Sequence, residues 1–346
     1  MTSLDLDALG WRGHFAGQDD GSGQPAARVS AIARDRLEAL SPDGPLTLTC
    51  PPALTTGAFA VGDWVRYDPA TGRVAARLDP FTELRRKAAG REARTQLIAA
   101  NVDTLAIVTS CNADFNPARL ERYLAVAAAA NCLPLILLTK ADLSGDAAMY
   151  RREAGRLSPL AVVEALDARD PEDLARIAPW AGPGQTLALV GSSGTGKSTL
   201  TAGLTGQTLA TQAIREDDAK GRHTTTGRHL LRTRAGGWII DTPGMRELGL
   251  ADAAEGIDEV FSDLAELEAA CRFSDCRHET EPGCAVIAAL EAGTLEPERL
   301  QRWQKLRRED RYNTETVAEA RARFKSFGKM VKEAQNHGRR KRDPLA

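Results

Sequence analysis

Gly191-Ser-Ser-Gly-Thr-Gly-Lys-Ser198 has the spacing G-x-x-x-x-G-K-[ST]. Glycines at 191, 194 and 196 let backbone N–H groups turn inward around phosphate oxygens, where a side chain would block them. Lys197 can reach the β- and γ-phosphates, and the Ser198 hydroxyl can ligate Mg²⁺. Ser192, Ser193, Thr195 and Thr199 complete the loop and the opening turn of the helix behind it. That helix aims its own N–H groups at the same anion. The apolar run Thr186 to Val190 comes before the loop and a helix-like segment from Lys197 follows. This strand–loop–helix context separates a phosphate cradle from a chance glycine-rich turn. The chemistry is the binding of a nucleoside triphosphate.

Two further stretches select the base and the metal. Trp238 to Gly244 is an apolar strand ending in D-x-x-G. Asp241 at its end can hold Mg²⁺ through water, and the Gly244 N–H can contact the γ-phosphate. Leu133 to Asp142 is an apolar strand ending in T-K-x-D, from Thr139 to Asp142. Asp142 can accept from both the ring N–H and the exocyclic amine of guanine. Adenine offers no such donor pair on that edge, so the acid selects GTP. Lys140 lays its aliphatic stem along the base. The guanine motif comes before the phosphate loop and D-x-x-G comes last, whereas the usual GTPase chain begins with the phosphate loop. An open parallel sheet can be entered at another strand if its old termini lie close together. The order is that of a circularly permuted GTPase domain.

A third cluster is metal-ligating. Cys271-x₄-Cys276-x-His278-x₅-Cys284 puts three thiolates and one imidazole into a short polar stretch. Cys₃His is a complete tetrahedral shell for structural Zn²⁺, with no open position for catalysis. The polar neighbours Arg272, Asp275, Arg277 and Glu279 leave little core of the segment's own, so the metal supplies much of its fold.

On these motifs, on Gly221-Arg-His-Thr-Thr-Thr226 before the D-x-x-G, and on the Cys/His cluster after it, the chain resembles the RsgA/YjeQ family. Those are circularly permuted GTPases of small ribosomal subunit assembly, and the resemblance covers nearly the whole chain. It implies GTP hydrolysis stimulated by the ribosome, rRNA binding, nucleotide-dependent release and a structural zinc. The charged stretch Gln207 to Thr226 reads as a switch loop. A threonine there ligates Mg²⁺ and senses the γ-phosphate; Thr225 is preferred, then Thr224. Many GTPases place a glutamine just after D-x-x-G, but here Met245 stands there and cannot orient water. His223, in the switch loop, is the candidate catalytic group; the other reading makes it a loop stabiliser or a ribosome contact.

The elements around these residues are legible in outline. The chain has 346 residues, enough for two or three domains, with 42% apolar and 27% charged residues and a net charge of −2. Near neutrality assigns any RNA contact to local patches. Asp5 and Asp7, with no basic run, argue against a signal peptide, and no apolar run reaches membrane-spanning length. Clustered cysteines beside the scattered Cys50, Cys111 and Cys132 suit a reducing cytoplasm. Leu4 to Phe15 reads as a short amphipathic helix weakened by Gly10 and Gly13. Ala27 to Ala33, Leu46 to Cys50, Gly62 to Tyr67 and Arg73 to Leu78 read as short strands of a small β-barrel, an OB-fold. On residues alone an RNA role for it is open; the resemblance implies an RNA-facing domain. Arg85 to Arg94 is a basic connector, either solvated or phosphate-contacting.

Asn101 to Thr109 and Pro134 to Leu138 read as sheet strands flanking a helix from Pro117 to Ala130. Leu160 to Ala165 reads as the next strand, with Glu164 and Ala165 at the last guanine-side loop. Helices are expected over Ala285 to Glu291, Glu296 to Tyr312 and Thr316 to Gln335. Arg321 to Arg342 holds nine Lys/Arg against one acid, either a frayed helix or an rRNA-binding tail.

The expected division is an N-terminal tail at 1–27, the OB domain at 28–85, an α/β permuted P-loop GTPase domain at 86–250, and a helical zinc-binding domain with a basic tail at 251–346. The reading is a cytoplasmic, monomeric GTPase whose partners are GTP/GDP and the small ribosomal subunit with its rRNA, with no membrane. An RNA-binding module using GTP mainly as a conformational ligand is the alternative. T-K-x-D argues against a third reading, a P-loop ATPase or small-molecule kinase.

Overall fold

A computed structural model describes residues 5–19, 21–87, 95–207, 228–241 and 253–314. Five short strands form the first layer: β1 (Ala26–Ile32), β2 (Leu37–Ser41), β3 (Gly44–Leu48), β4 (Trp64–Asp68) and β5 (Arg73–Arg77). Antiparallel pairs join β1 to β2 and β4, β2 to β3, and β4 to β5. A parallel bridge from Thr49 to Arg73 closes the ring. The resulting order, β1-β2-β3-β5-β4-β1, is a five-stranded OB-type barrel. Val29, Leu37, Leu48, Val65 and Val74 fill it.

β2 is not among the strands expected from the sequence. Leu37-Glu-Ala-Leu40 are good helix formers, yet the tight turn after Ser41 pairs that residue with Gly44 and fixes a hairpin. The alternating burial of β2 follows from that pairing.

The larger sheet continues from the barrel. Its strands are β8 (Thr104–Ser110), β9 (Leu133–Thr139), β10 (Val162–Ala165), β11 (Thr186–Val190), β12 (His229–Arg232) and β13 (Trp238–Asp241). Across the sheet they run β10-β9-β8-β11-β13-β12, and β12 meets β1 at His229 and Ala31. Among the described residues only β12 runs antiparallel to its GTPase-side neighbour. Every residue of β8 and β11 is buried, as expected where helices cover both faces. Followed from β11, the path is β11, β12, β13, then β8, β9, β10. That is a doubly wound sheet starting at the phosphate-loop strand, which this chain enters instead at β8. The helices α2 (Pro117–Ala129), α3 (Ala147–Gly155), α4 (Pro171–Ile177) and α5 (Lys197–Thr205) connect these strands.

Three local expectations change. Among the described residues the N-terminal segment is helical only over α1 (Gly13–Ala16), because Gly10 adopts φ +91° and breaks the run. Its aromatic face survives: Trp11 and Phe15 pack on Trp64 with ring centroids 4.9 and 5.8 Å away. Arg85 to Lys87 are not a linker but part of β6 (Glu83–Lys87), paired with β7 (Thr95–Ala100). The strand expected from Asn101 starts at Thr104, since Asn101 is left-handed at φ +57°. The Asn101 amide donates to Gly62 O (3.0 Å) and accepts from Phe81 N (3.1 Å).

A buried arginine ties the barrel to the phosphate-loop strand. Arg28 of β1 is 1% exposed. It donates to Leu9 O (2.6 Å), Asn101 O (3.2 Å) and Thr186 Oγ1 (2.7 Å), at the start of β11. Asp103, which ion-pairs with Arg12, accepts from Thr186 N at 2.7 Å. Burial pushes the Arg28 guanidinium down to about 10, still charged at neutral pH.

The C-terminal helices are α6 (Ala254–Val260), α7 (Ser262–Ala269), α8 (Ala285–Glu291) and α9 (Pro297–Thr314). They share one core with the sheet: Leu120 and Leu124 of α2 join Ile257, Phe261 and Trp303. Glu121 of α2, fully buried, pairs with Arg302 (2.6 Å) and Arg299 (3.3 Å) of α9. Among the described residues no helix is long and apolar enough to cross a membrane.

Candidate functional site

The phosphate loop leaves β11 at Gly191, where φ is +140° and a Cβ would sit 2.1 Å from Val108 O on β8. Only glycine lets the two strands close there. Gly194 (φ +77°) and Gly196 (φ +90°) carry the loop round to α5. Thr195 turns inward, 1% exposed, and its hydroxyl donates to Ser192 O at 2.9 Å. Lys197 Nζ donates to Gly191 O (2.8 Å) and to Ser192 O, so the ammonium spans the loop's mouth. Ser193, Gly194, Ser198 and Thr199 are exposed on that mouth. The N-cap of α5 is Gly196 and no side chain caps it, which leaves the helix terminus open to an anion.

The base-side motif begins one strand beyond β8. Thr139 Oγ1 lies 2.7 Å from Thr195 O and 3.0 Å from Thr109 O. Its single hydroxyl proton serves one of these carbonyls at a time, so Thr139 braces the phosphate loop from the end of β9. Lys140 is left-handed at φ +57°, and the short 3₁₀ turn Ala141–Leu143 behind it presents Asp142. The carboxyl ends are aligned by register: Ala165 with Leu138, Thr139 with Ser110, Val190 with Ile107, and Ala188 with Ile240. Asp241, ending β13, therefore lies on the same sheet edge as the phosphate loop and Asp142. In open α/β sheets, ligands bind along that edge where the strand order reverses. Here the reversal falls between β8 and β11. His223, Thr224, Thr225, Gly244 and Met245 lie outside the described residues, as do Thr316 to Gln335 and the basic stretch Arg321 to Arg342.

The loop beyond β10 begins only after the end of the expected strand. Glu164 and Ala165 are still in the strand, opposite Leu137 and Leu138. The residue that reaches Asp142 is Arg169, which also holds Asp167. Arg169 Nη2 donates to Asp142 Oδ2 at 2.7 Å, while Nε and Nη2 grip Asp167 at 2.9 and 3.0 Å. The Arg169 hydrogen bonds hold the Asp167 carboxyl below the usual range. One signal could have found this loop: Asp170-Pro171 is a helix start, and Asp170 does cap α4, accepting from Glu172 N. The loop between β10 and α4 ends just before it.

The metal cage is compact. Ligand atoms of Cys271, Cys276, His278 and Cys284 all lie within 4.8 Å of one another. Cys271 Sγ is 3.8 Å from Cys284 Sγ, and His278 Nδ1 is 3.7 and 3.4 Å from those two sulfurs. Tetrahedral metal–sulfur bonds of about 2.3 Å put sulfurs about 3.8 Å apart and a sulfur about 3.5 Å from an imidazole nitrogen. The side chains are thus spaced for a tetrahedral ion, and the sulfurs stand far beyond disulfide length. Two left-handed residues, His278 (φ +60°) and Gly283 (φ +80°), fold the loop back on itself. The other imidazole nitrogen, Nε2, points to Glu268 Oε1 at 3.7 Å, and Glu268 is itself paired with Arg307 of α9.

A family model for the RsgA GTPase matches residues 78–251. The small ribosomal subunit biogenesis GTPase RsgA of Mesorhizobium japonicum is 51% identical over 319 residues, covering 90% of this chain and 92% of the relative. The chain belongs to the RsgA GTPase family. The small ribosomal subunit biogenesis GTPase RsgA 2 of Vibrio vulnificus is 47% identical over 335 residues, covering 96% of this chain and 95% of its own. Among solved structures, YjeQ from Thermotoga maritima superposes with a TM-score of 0.60 at 22% identity, over 82% of this chain and 97% of its own. YloQ, a circularly permuted GTPase, superposes with a TM-score of 0.56 at 23% identity, over 86% and 99%. These likenesses show the permuted fold. The RsgA family model ends before the Cys₃His cage, whereas the Vibrio relative's alignment spans nearly the whole chain.

Proposed function

We propose that this protein hydrolyses GTP as a step in maturation of the small ribosomal subunit, working as a cytoplasmic monomer. The observation that supports this best is the convergence of the phosphate loop, Asp142 and Asp241 on one sheet edge, in a chain so similar to proteins of that name. In this reading the N–H groups from Gly191 to Thr199 and the Lys197 ammonium hold the phosphates. Asp142 accepts from guanine, Lys140 flanks the base, and Thr139 fixes the loop between them. The Ser198 hydroxyl, Asp241 and Thr225 would hold Mg²⁺, which neutralises phosphate charge when bound. The Gly244 N–H faces the γ-phosphate, and His223 orients the attacking water. The division into a barrel at 28–85, a GTPase domain at 86–250 and a zinc-binding domain at 251–346 gives each part a task. The barrel and the basic C-terminal stretch face rRNA, and nucleotide state sets the grip on the subunit.

The test is GTP hydrolysis by the purified protein with and without small subunits, with ATP as control. A large, GTP-specific stimulation is expected. His223→Ala is expected to keep GTP affinity and lose the stimulated rate by about 10²-fold or more. Tight GTP binding without stimulation would favour the conformational-ligand reading, and equal use of ATP would refute the guanine assignment.

Cys271, Cys276, His278 through Nδ1, and Cys284 would hold zinc, which supplies a cross-link to a stretch with little core of its own. Glu268, facing His278 Nε2, would fix the ring. Glu268→Ala is expected to lose zinc to a competing chelator about 10- to 100-fold more readily, with one zinc per chain still bound at saturation. Unchanged zinc retention would remove Glu268 from that role.

A further inference from the structure

We propose that Arg169 is a specificity-determining residue: it neutralises Asp167 and orients Asp142 for two-point recognition of guanine. The inference rests on the GTP reading above. Two carboxylates, Asp142 and Asp167, face one guanidinium, with contacts of 2.7, 2.9 and 3.0 Å. Without that cation the acids would repel each other. Asp142 would then rotate away from Asp167, which takes an acceptor out of line with guanine.

The bridge leaves room for the base. An ionised carboxylate offers about four lone-pair sites. Guanine needs one on each oxygen, for its ring N–H and its amine. Arg169 takes one on Oδ2, which restrains the carboxylate without consuming both acceptors.

The loop carrying Arg169 is itself held. Ala141 N donates to Leu166 O (3.3 Å), which ties the loop to the turn bearing Asp142. Asp167 N donates to Asp173 Oδ2 (2.6 Å), and Arg176 Nη2 donates to Ala165 O (3.0 Å). Ala168 is buried among Leu135, Leu137 and Leu166. Arg169 thus reaches Asp142 from a fixed base, although its own side chain is 65% exposed.

The experiment compares GDP with inosine diphosphate, which lacks the exocyclic amine and engages only one carboxylate oxygen. Affinities are measured by titration of the full-length protein, with ADP as control. For Arg169→Ala, GDP affinity is expected to fall about 10-fold and inosine diphosphate affinity less than threefold, so the selectivity between them narrows. Arg169→Lys should lie between. Asp167→Ala/Arg169→Ala should recover most of the lost GDP affinity, because the repelling charge is gone. Equal losses for both nucleotides would mark a merely structural role and overturn the proposal. So would wild-type selectivity in Arg169→Ala, tighter GDP binding, or no recovery in the double variant. A wild-type protein that does not prefer GDP to ADP would instead refute the guanine reading, and the proposal with it.

Discussion

Asp142→Asn is expected to turn this protein from a guanine-nucleotide binder into a xanthine-nucleotide binder. The aspartate offers two acceptors, which match the ring N–H and the amine of guanine. An asparagine offers one acceptor and one donor. Against guanine, the new amide N–H₂ would face the exocyclic amine, donor against donor. A site built on a hydrogen bond rejects the wrong partner strongly, because buried polar groups are left unpaired. The loss for GDP should be about 10²- to 10³-fold. Xanthine carries a carbonyl where guanine carries the amine, so the same substitution should bring xanthosine diphosphate up by a similar factor. Competition titration with both diphosphates reads the exchange directly. Equal weakening of both would mean that Asp142 supports the loop and does not read the base.

The sequence carried the chemistry more fully than the architecture that holds it. The phosphate loop, Asp142, Asp241 and the Cys₃His set are local patterns that become diagnostic together and at strand ends, and the fold brings the first three to one sheet edge. Their supports were not legible. Arg28 looks like any surface arginine in an alternating strand, yet it is buried between the barrel and β11 because four oxygens from distant segments converge on it. The Thr139 hydroxyl serves the phosphate loop, a contact across fifty-six residues that no local pattern encodes. The end of β10 was not legible because a short strand's end is set by tertiary pairing: β10 keeps register with β9 through Ala165, and the chain turns only afterwards. The second barrel strand was missed because helix propensity is a weak prior that a hairpin overrides.

Gly256→Ala is expected to destabilise the protein, against the sign that helix propensity predicts. Alanine in place of an interior helix glycine ordinarily adds about 1 kcal/mol. At Gly256 a Cβ would lie 2.3 Å from Ala125 O, 2.7 Å from Ala129 N and 3.1 Å from Ala129 Cβ. Two of these are backbone atoms of α2, so relief requires α6 and α2 to move apart. Overpacking of this kind costs about 1–3 kcal/mol. Separation also threatens the buried Glu121, whose partners Arg299 and Arg302 come from the far side of the same interface. A buried carboxylate left without partners costs about 3–5 kcal/mol. Gly256→Leu should therefore undock the C-terminal helices altogether.

The expected signature is a lowered thermal midpoint for the alanine variant. For the leucine variant it is early hydrogen exchange in α2 and α9, with metal content kept because the cage lies within α7, α8 and their connection. Guanine-nucleotide affinity should change less than threefold, since the phosphate loop and Asp142 stand on other strands. A raised midpoint in Gly256→Ala would show that α6 is loosely seated. The functional consequence follows from position: α6 begins just beyond the D-x-x-G segment, and Gly256 sets it hard against α2. Any nucleotide-driven displacement of α6 must then carry α2 along or break the contact, because a glycine-mediated backbone approach cannot slide. On the nucleotide-dependent grip proposed above, the leucine variant, which separates these parts, should bind the small ribosomal subunit equally in its GDP and non-hydrolysable GTP-analogue forms. Retained nucleotide dependence in that variant would place the coupling outside the α2–α6 contact.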